Sequence, residues 1–243
     1  MRSPPDGLTF AVVYSSHAAN PALLTSLPYD SEKDFEPVAF IWRAATALSE
    51  HPSVAINNFA QFLAEAKSKP GSIAYGTPGV GSAMHLAGAL LEDRAGIVLT
   101  HIPYRGAGPA LADAVAGGVP AVISNVSTTA PQARFGKLRP LATTGPQRSI
   151  LLPDIPTISE SGYPGYDVAE FMVLVARAGT PIEILDRKHR AILNVVAAPA
   201  MATKLAEQGL DTQPMSRAEV KTWLAAQTRT LSDLIRKAGI KPE

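Results

Sequence analysis

The sequence predicts an α/β protein. Short apolar runs rich in β-formers alternate with amphipathic stretches of helical period. Proline (21) and glycine (18) recur at short intervals through the 243 residues and divide the chain into many short elements. With 46% apolar residues there is enough apolar side chain to bury a core of one large domain or two small lobes.

Strands are expected near residues 8–14, 38–41, 73–75, 99–102, 121–123, 138–143 and 171–176, where apolar and β-branched residues cluster between turn formers. The helices carry clearer start and stop signals. Asn57 or Asn58 caps a helix that runs through Lys67 and ends at Pro70-Gly71. Ser82 caps a second over 83–94, with Gly96 just past its end. A third covers 109–116, opening on Pro109 and ending at Gly117-Gly118. Thr180 caps a fourth, with Pro181 at its first position, to about Val196. Ser216 and Glu219 form a capping box for the last, through Lys237. Between Gly145 and Tyr166 lies a stretch dense in Pro, Gly and Ser that reads as a connection between lobes, and the last third after Thr180 is nearly all helix.

The bulk properties exclude several function classes. Net charge is +1, with basic residues scattered; the densest group, Arg187, Lys188 and Arg190, reads as a solvated helix face. There is no electrostatic case for nucleic acid or an anionic membrane. Cysteine is absent, which removes disulfides, thiolate metal sites and cysteine nucleophiles together. No run approaches the roughly 20 apolar residues of a membrane span, and the start Met1-Arg2-Ser3-Pro4-Pro5-Asp6-Gly7 shows no secretory signal. Among His17, His51, His85, His101 and His189 no two have the i, i+4 spacing of a metal pair, so neither metal nor cofactor is expected. His17, His51 and His189 are expected near the surface, His101 in a structural place at a strand end, and His85 in a first helical turn beside the loop described next. Glu92-Asp93 reads as a solvated pair, Phe171 and Met172 as core ahead of cleft-lining residues, and Tyr104 and Arg105 either as a core ring and a hinge ion pair or as a cleft-facing phenol and guanidinium.

One segment points to ligand chemistry. Ile73-Ala74-Tyr75-Gly76-Thr77-Pro78-Gly79-Val80-Gly81-Ser82-Ala83-Met84-His85 passes from a strand through a glycine-rich turn into a helix. A helix start offers unpaired N–H groups and the positive end of the dipole, and glycine lets backbone approach a ligand. Gly76 and Gly81 have the spacing of a phosphate-binding P-loop, but Ser82 stands where its lysine belongs and Ala83 where its hydroxyl belongs. The order Gly76, Gly79, Gly81 fails the dinucleotide fingerprint as well. A neutral donor cradle suits a carboxylate: each hydrogen bond to a charged group contributes roughly 1.5–3 kcal/mol and the dipole about 0.3–1 kcal/mol. Three or four donors then reach the ~8 kcal/mol of micromolar binding after association costs. The other reading of the segment is a tight β-to-α turn whose glycines serve packing alone. A serine hydrolase is disfavoured, because Val80-Gly81-Ser82-Ala83-Met84 is not a G-x-S-x-G elbow.

Five motifs occur in order: the loop at 75–85; Thr100-His101-Ile102-Pro103-Tyr104-Arg105-Gly106-Ala107-Gly108-Pro109-Ala110; Gly136-Lys137-Leu138-Arg139-Pro140-Leu141-Ala142; Leu152-Pro153-Asp154-Ile155-Pro156-Thr157-Ile158 continuing to Gly165-Tyr166; and Ala178-Gly179-Thr180-Pro181. Together they resemble the Bug family, the substrate-binding proteins of tripartite tricarboxylate transporters, from about Pro5 to the C-terminus. The resemblance implies a two-lobe periplasmic binding protein of type II with crossing hinge strands, its first lobe formed by 1–48 and 167–243 and its second by 49–166. It implies a monomer that holds a small carboxylate (a dicarboxylate, tricarboxylate or aromatic acid) between the lobes and delivers it to the transporter's membrane subunits, without catalysis and in the periplasm.

Carried over residue by residue, the resemblance marks Thr77, Gly79, Gly81 and Ser82 as second-lobe ligand contacts, Ser15 and Ser16 of the Ser15-Ser16-His17 turn as first-lobe contacts, and Asn125 at a strand end; His85, from its place in the helix's first turn, is read either as a further contact or as a packed or capping histidine. Ser124 stands where the family often has Asp, which argues against an amino-acid ligand whose ammonium needs a carboxylate. Family members open with a signal peptide, a strand, a ligand loop, a helix and a second strand ahead of the Pro-Asp-Gly seen here at Pro5-Asp6-Gly7. The expectation is therefore of an N-terminally truncated first lobe. A non-secreted carboxylate-binding or regulatory module is the alternative reading.

Overall fold

The computed structural model describes residues 3–240. The chain divides into two compact units. Unit 1 comprises the residues up to Arg43 and those from Phe171 onward, and unit 2 is Ala44–Glu170. The chain passes from one unit to the other inside two strands, β2 (Phe35–Glu50) and β7 (Ala169–Arg177). Among the described residues no helix is long and apolar enough to cross a membrane.

In unit 1, β1 (Phe10–Tyr14) pairs antiparallel with β7, Phe10 opposite Ala176 and Tyr14 opposite Met172. On its other side β7 neighbours β2. Helix α1 (Ser15–Leu23) packs along α8 (Arg217–Lys237). The Trp223 ring meets Phe40 and Phe171 edge-on at 5.1 and 4.8 Å between centroids. The capping box of α8 forms as its sequence predicts, the Ser216 side chain accepting from the Glu219 N–H and the Glu219 carboxylate taking the Ser216 N–H. Arg217 donates to Asp186 of α6 (Ile182–Val196) at 2.9 Å and to the Pro37 carbonyl at 3.3 Å.

Unit 2 is built on a sheet in which β2 lies between β6 (Arg139–Thr143) and β5 (Ala121–Asn125), antiparallel to both. Beyond β5 come β3 (Ala74–Thr77) and β4 (Thr100–Pro103), parallel to one another, with β3 also parallel to β5. The main core joins the sheet face carrying Leu48, Tyr75 and Ile123 to Phe59 and Phe62 of α2 (Phe59–Ser68) and to Met84, Ala87 and Leu91 of α3 (Ala83–Ala95). On the other face α4 (Ala107–Ala116) packs Ala110 and Ala114 against Val122, and α5 (Val126–Arg134) packs Ala130 against Ala47.

Gly88 is where α3 meets the sheet, since a Cβ there would lie 2.4 Å from the Tyr75 hydroxyl. Glu50, at the end of β2, is fully buried and neither carboxyl oxygen has a partner among the described residues. Arg139, opposite it in register, donates instead to the carbonyls of Val54 and Ile56. Burial pushes Glu50 up to about 7, against the pull of the Arg139 charge.

Several expectations are corrected. Ser15-Ser16-His17 is the first turn of α1 and not a loop, and Pro21 sits inside that helix. Strand β2 is 16 residues long where only 38–41 read as strand. Helices α5 and α7 (Pro199–Glu207) were not individually expected. Asn58 caps α2, and α4 begins two residues earlier than Pro109. The α6 cap position is Pro181, because the Thr180 hydroxyl donates backward to the Arg177 carbonyl. The segment 145–166 is not a connector: it lies within unit 2, and Ile158 and Tyr166 are buried in that unit's core. His17 is buried, stacked on Tyr29, and Glu92 is half-buried with its carboxylate accepting the Leu99 N–H.

Candidate functional site

Because β3, β4 and β5 run parallel, their carboxyl ends share one edge of the unit 2 sheet, and each passes into a helix there: α3, α4 and α5. Open parallel sheets bind ligands outside such ends. At this edge lie five of the expected contacts, Thr77, Gly79, Gly81, Ser82 and His85, and Asn125 closes β5. Ser15 and Ser16 belong to unit 1, where Ser15 is buried and Ser16 exposed.

The loop between β3 and α3 is tied by its own hydrogen bonds. Gly79 and Gly81 take φ of +140° and +76°, conformations open to glycine at little cost. The Ser82 hydroxyl accepts from the His85 N–H at 3.2 Å, capping α3, and donates to the Gly79 carbonyl at 2.8 Å. The Gly79 N–H donates to the Thr77 hydroxyl at 3.3 Å, and that hydroxyl lies 2.6 Å from Nε2 of His101. The Gly81 N–H donates to Nδ1 of His85 at 3.1 Å. From the turn that follows β4, the N–H groups of Tyr104 and Gly106 donate to the carbonyls of Thr77 and Pro78, both at 3.0 Å. The loop is thus pinned on both flanks.

The donors left over are backbone. The N–H groups of Val80, Ala83 and Met84 meet no protein acceptor among the described residues, and the last two open α3, at the positive end of its dipole. The Thr77 and Ser82 hydroxyls, read in the sequence as ligand donors, are engaged in holding the loop. Asn125 occupies the cap position of α5, and its side-chain oxygen is buried without a partner. The Ser124 hydroxyl lies 2.7 Å from that of Thr129.

Two imidazoles sit beneath the loop. The His85 and His101 rings stack with centroids 3.9 Å apart and planes 12° from parallel, and Tyr75 lies 5.3 Å from His101. Burial lowers both histidines to about 4, and for His101 the neighbouring His85 adds to the lowering. His101 is the member that sequence reading assigned only to structure. The signal available for it was the strand–helix–strand order, which places β4 beside β3; the register Tyr75 opposite His101 is a property of the fold. Tyr104 donates its hydroxyl to Asp113, and burial with that contact raises it to about 12. Ser82 and His85 are no nucleophile and base pair, since the serine hydroxyl contacts the His85 backbone and the ring is turned to Gly81. No group of three or more metal-ligating side chains occurs among the described residues.

The family described as the tripartite tricarboxylate transporter family receptor matches residues 1–240. A UPF0065 protein of Bordetella bronchiseptica is 34% identical over 241 residues, covering 98% of this chain and 70% of that protein. Protein BugT of Bordetella pertussis is 29% identical, covering 99% and 74%. Among solved structures, an R. palustris protein with adipate is 31% identical, with a TM-score of 0.91, and covers all of this chain and 81% of its own. MatC from Rhodopseudomonas palustris with bound malate is 26% identical, with a TM-score of 0.85, covering 96% and 81%.

Proposed function

The chain belongs to the tripartite tricarboxylate transporter receptor family, and from that premise we propose that it binds a small carboxylate in the periplasm for delivery to the membrane subunits of such a transporter. As a member of that family it is a substrate-binding protein and not an enzyme. The observation that carries the carboxylate reading is the β3–α3 loop. Backbone N–H groups of Val80, Ala83 and Met84 stand unpaired at a helix start, on a loop held in shape by its own hydrogen bonds and free of lysine and arginine. Such a site supplies donors without a point charge, which fits carboxylates better than phosphates. Two related structures hold dicarboxylates, adipate and malate, and support the same ligand class.

In this reading Thr77, Gly79, Gly81 and Ser82 shape the cradle, and Asn125, at the same sheet edge, is a further candidate contact through its side-chain amide N–H. Ser15 and Ser16 are the candidate contacts of unit 1. Dicarboxylates, tricarboxylates and aromatic acids are the candidate ligands. A thermal-shift panel of these acids, with adipate and malate included, is expected to raise the melting temperature without turnover of the ligand. The double substitution Thr77→Ala, Ser82→Ala is expected to shrink that rise. A panel that leaves the melting temperature unmoved overturns the carboxylate reading.

A further inference from the structure

The His85–His101 stack lies under the ligand loop, and each ring touches that loop through a different residue. His85 takes the Gly81 N–H on Nδ1, and His101 meets the Thr77 hydroxyl through Nε2. The Thr77 hydroxyl in turn receives the Gly79 N–H. Both glycines that give the loop its course are therefore tied, directly or through one hydroxyl, to one ring pair.

The first contact settles where the His85 proton sits. A nitrogen that accepts from an N–H carries no hydrogen, so neutral His85 holds its proton on Nε2. Adding a second proton places an N–H on Nδ1, facing the Gly81 N–H, and two donors then oppose each other. The stack restricts the charge further. Rings 3.9 Å apart do not both carry a positive charge in a partly buried place.

We propose that His85 and His101 are positioning residues that latch the loop 77–82 in its ligand-ready shape while His85 is neutral, and that uptake of a proton by His85 releases it. This rests on the loop being the carboxylate cradle. It gives His85 a role through Gly81 and not through contact with the ligand.

The surroundings leave the pair to titrate by itself. The ionisable groups around it are Tyr75 of β3, Glu92 further along α3, Tyr166 of the 145–168 segment, whose hydroxyl donates to the Ala87 carbonyl, and the Tyr104–Asp113 pair of α4. Among the described residues no carboxylate pairs with either ring. Burial raises Tyr75, Tyr166 and Glu92 and keeps the tyrosines neutral throughout the acidic range. The rings, at about 4, are neutral near pH 7.

The test is an NMR titration of the full chain from pH 7 to 3, reading histidine ring nitrogens and the Gly81 amide. Amides of Phe62 in α2 and Ile123 in β5 report that the fold of unit 2 persists. The expected result is His85 protonated on Nε2 alone at pH 7, with the Gly81 amide moving along the ring titration at a midpoint well below the ordinary histidine value of about 6.5. In His85→Asn, whose side-chain oxygen offers an acceptor near the Nδ1 position but does not titrate, the Gly81 amide is expected to stay flat.

Adipate and malate binding at pH 7 gives the second reading. His85→Ala is expected to weaken it about tenfold, the factor that corresponds to losing one hydrogen bond of about 1.4 kcal/mol, and His85→Asn to weaken it less. A Gly81 amide indifferent to the ring, a His85 protonated on Nδ1 at pH 7, or undiminished binding by His85→Ala overturns the latch. If carboxylates bind while Gly81 ignores the ring, the ligand reading stands and the latch falls. If the rings and Gly81 titrate as described and no carboxylate binds, the latch stands and the ligand reading falls.

Discussion

Of the strand-to-helix junctions singled out for ligand binding, two are built in opposite ways. At β1–α1 the strand runs straight into the helix. Tyr14 ends one element and caps the other, with extended backbone (φ −118°, ψ −178°) and no side-chain cap. At β3–α3 five residues separate strand from helix, two of them glycines at positive φ, and a serine caps the helix with its side chain. The first junction is set by its flanking elements, α1 being held by its packing on α8. The second is tied by hydrogen bonds within the loop and by others from Tyr104, Gly106 and His101. A junction fixed at so many points by hydrogen bonds is preorganised, which is what a donor cradle requires.

Substitutions can break this contrast in graded steps. The largest effect is expected for Gly88→Ala, whose new methyl would sit 2.4–2.6 Å from the Tyr75 hydroxyl and ring atoms. Urea unfolding should show a loss of about 2–3 kcal/mol or more, and an unchanged midpoint would mean that Tyr75 does not seat α3. Gly81→Ala, forcing a side chain into φ +76°, is expected to cost about 1–2 kcal/mol in the same measurement. Ser82→Ala removes the cap of α3 at a cost of about 1 kcal/mol. At the other junction, exposed Ser16→Ala is expected to change stability by less than about 0.5 kcal/mol. If Ser16→Ala proves as costly as Ser82→Ala, the two junctions are not different in kind.

What the sequence made legible follows the same contrast. Local signals were readable: Asn58 and Ser82 as caps, Gly96 just beyond α3 in left-handed conformation, and the Ser216–Glu219 box. The 75–85 loop stood out because its glycines and its serine cap lie within a few residues of one another. Elements held by tertiary packing were not readable. Helices α1 and α5 carry Pro21 and Pro131 inside them, and α5 is rich in Ser and Thr, so propensity argued against both. Strand β2 hid its length behind Glu36, Arg43 and Glu50, charged residues that a strand of this class seldom carries. At the candidate site the glycines were visible, but their partner His101 was not, because the contact depends on how β4 aligns with β3 across more than 20 residues of chain. The Thr77 hydroxyl looked like a ligand donor for the same reason, while that of Ser82 is taken up locally, by the Gly79 carbonyl and the His85 N–H.

Glu50, buried without a partner at the end of β2, gives unit 2 a counterweight against acid. Its folded value of about 7 lies above the 4.5 of an unfolded glutamate, so it favours the native state fully below 4.5 and loses that contribution as pH rises through 7. The stacked histidines lean the other way. Held near 4 against an unfolded 6.5, they cost stability as pH falls through that window. Where the windows overlap, between 4.5 and 6.5, the carboxyl holds a proton that the unfolded chain gives up while the rings refuse protons that the unfolded chain takes, and the slopes partly cancel. Replacing Glu50 by Gln should therefore leave unit 2 more sensitive to acid across that interval, a steepening that chemical denaturation at successive pH values would reveal.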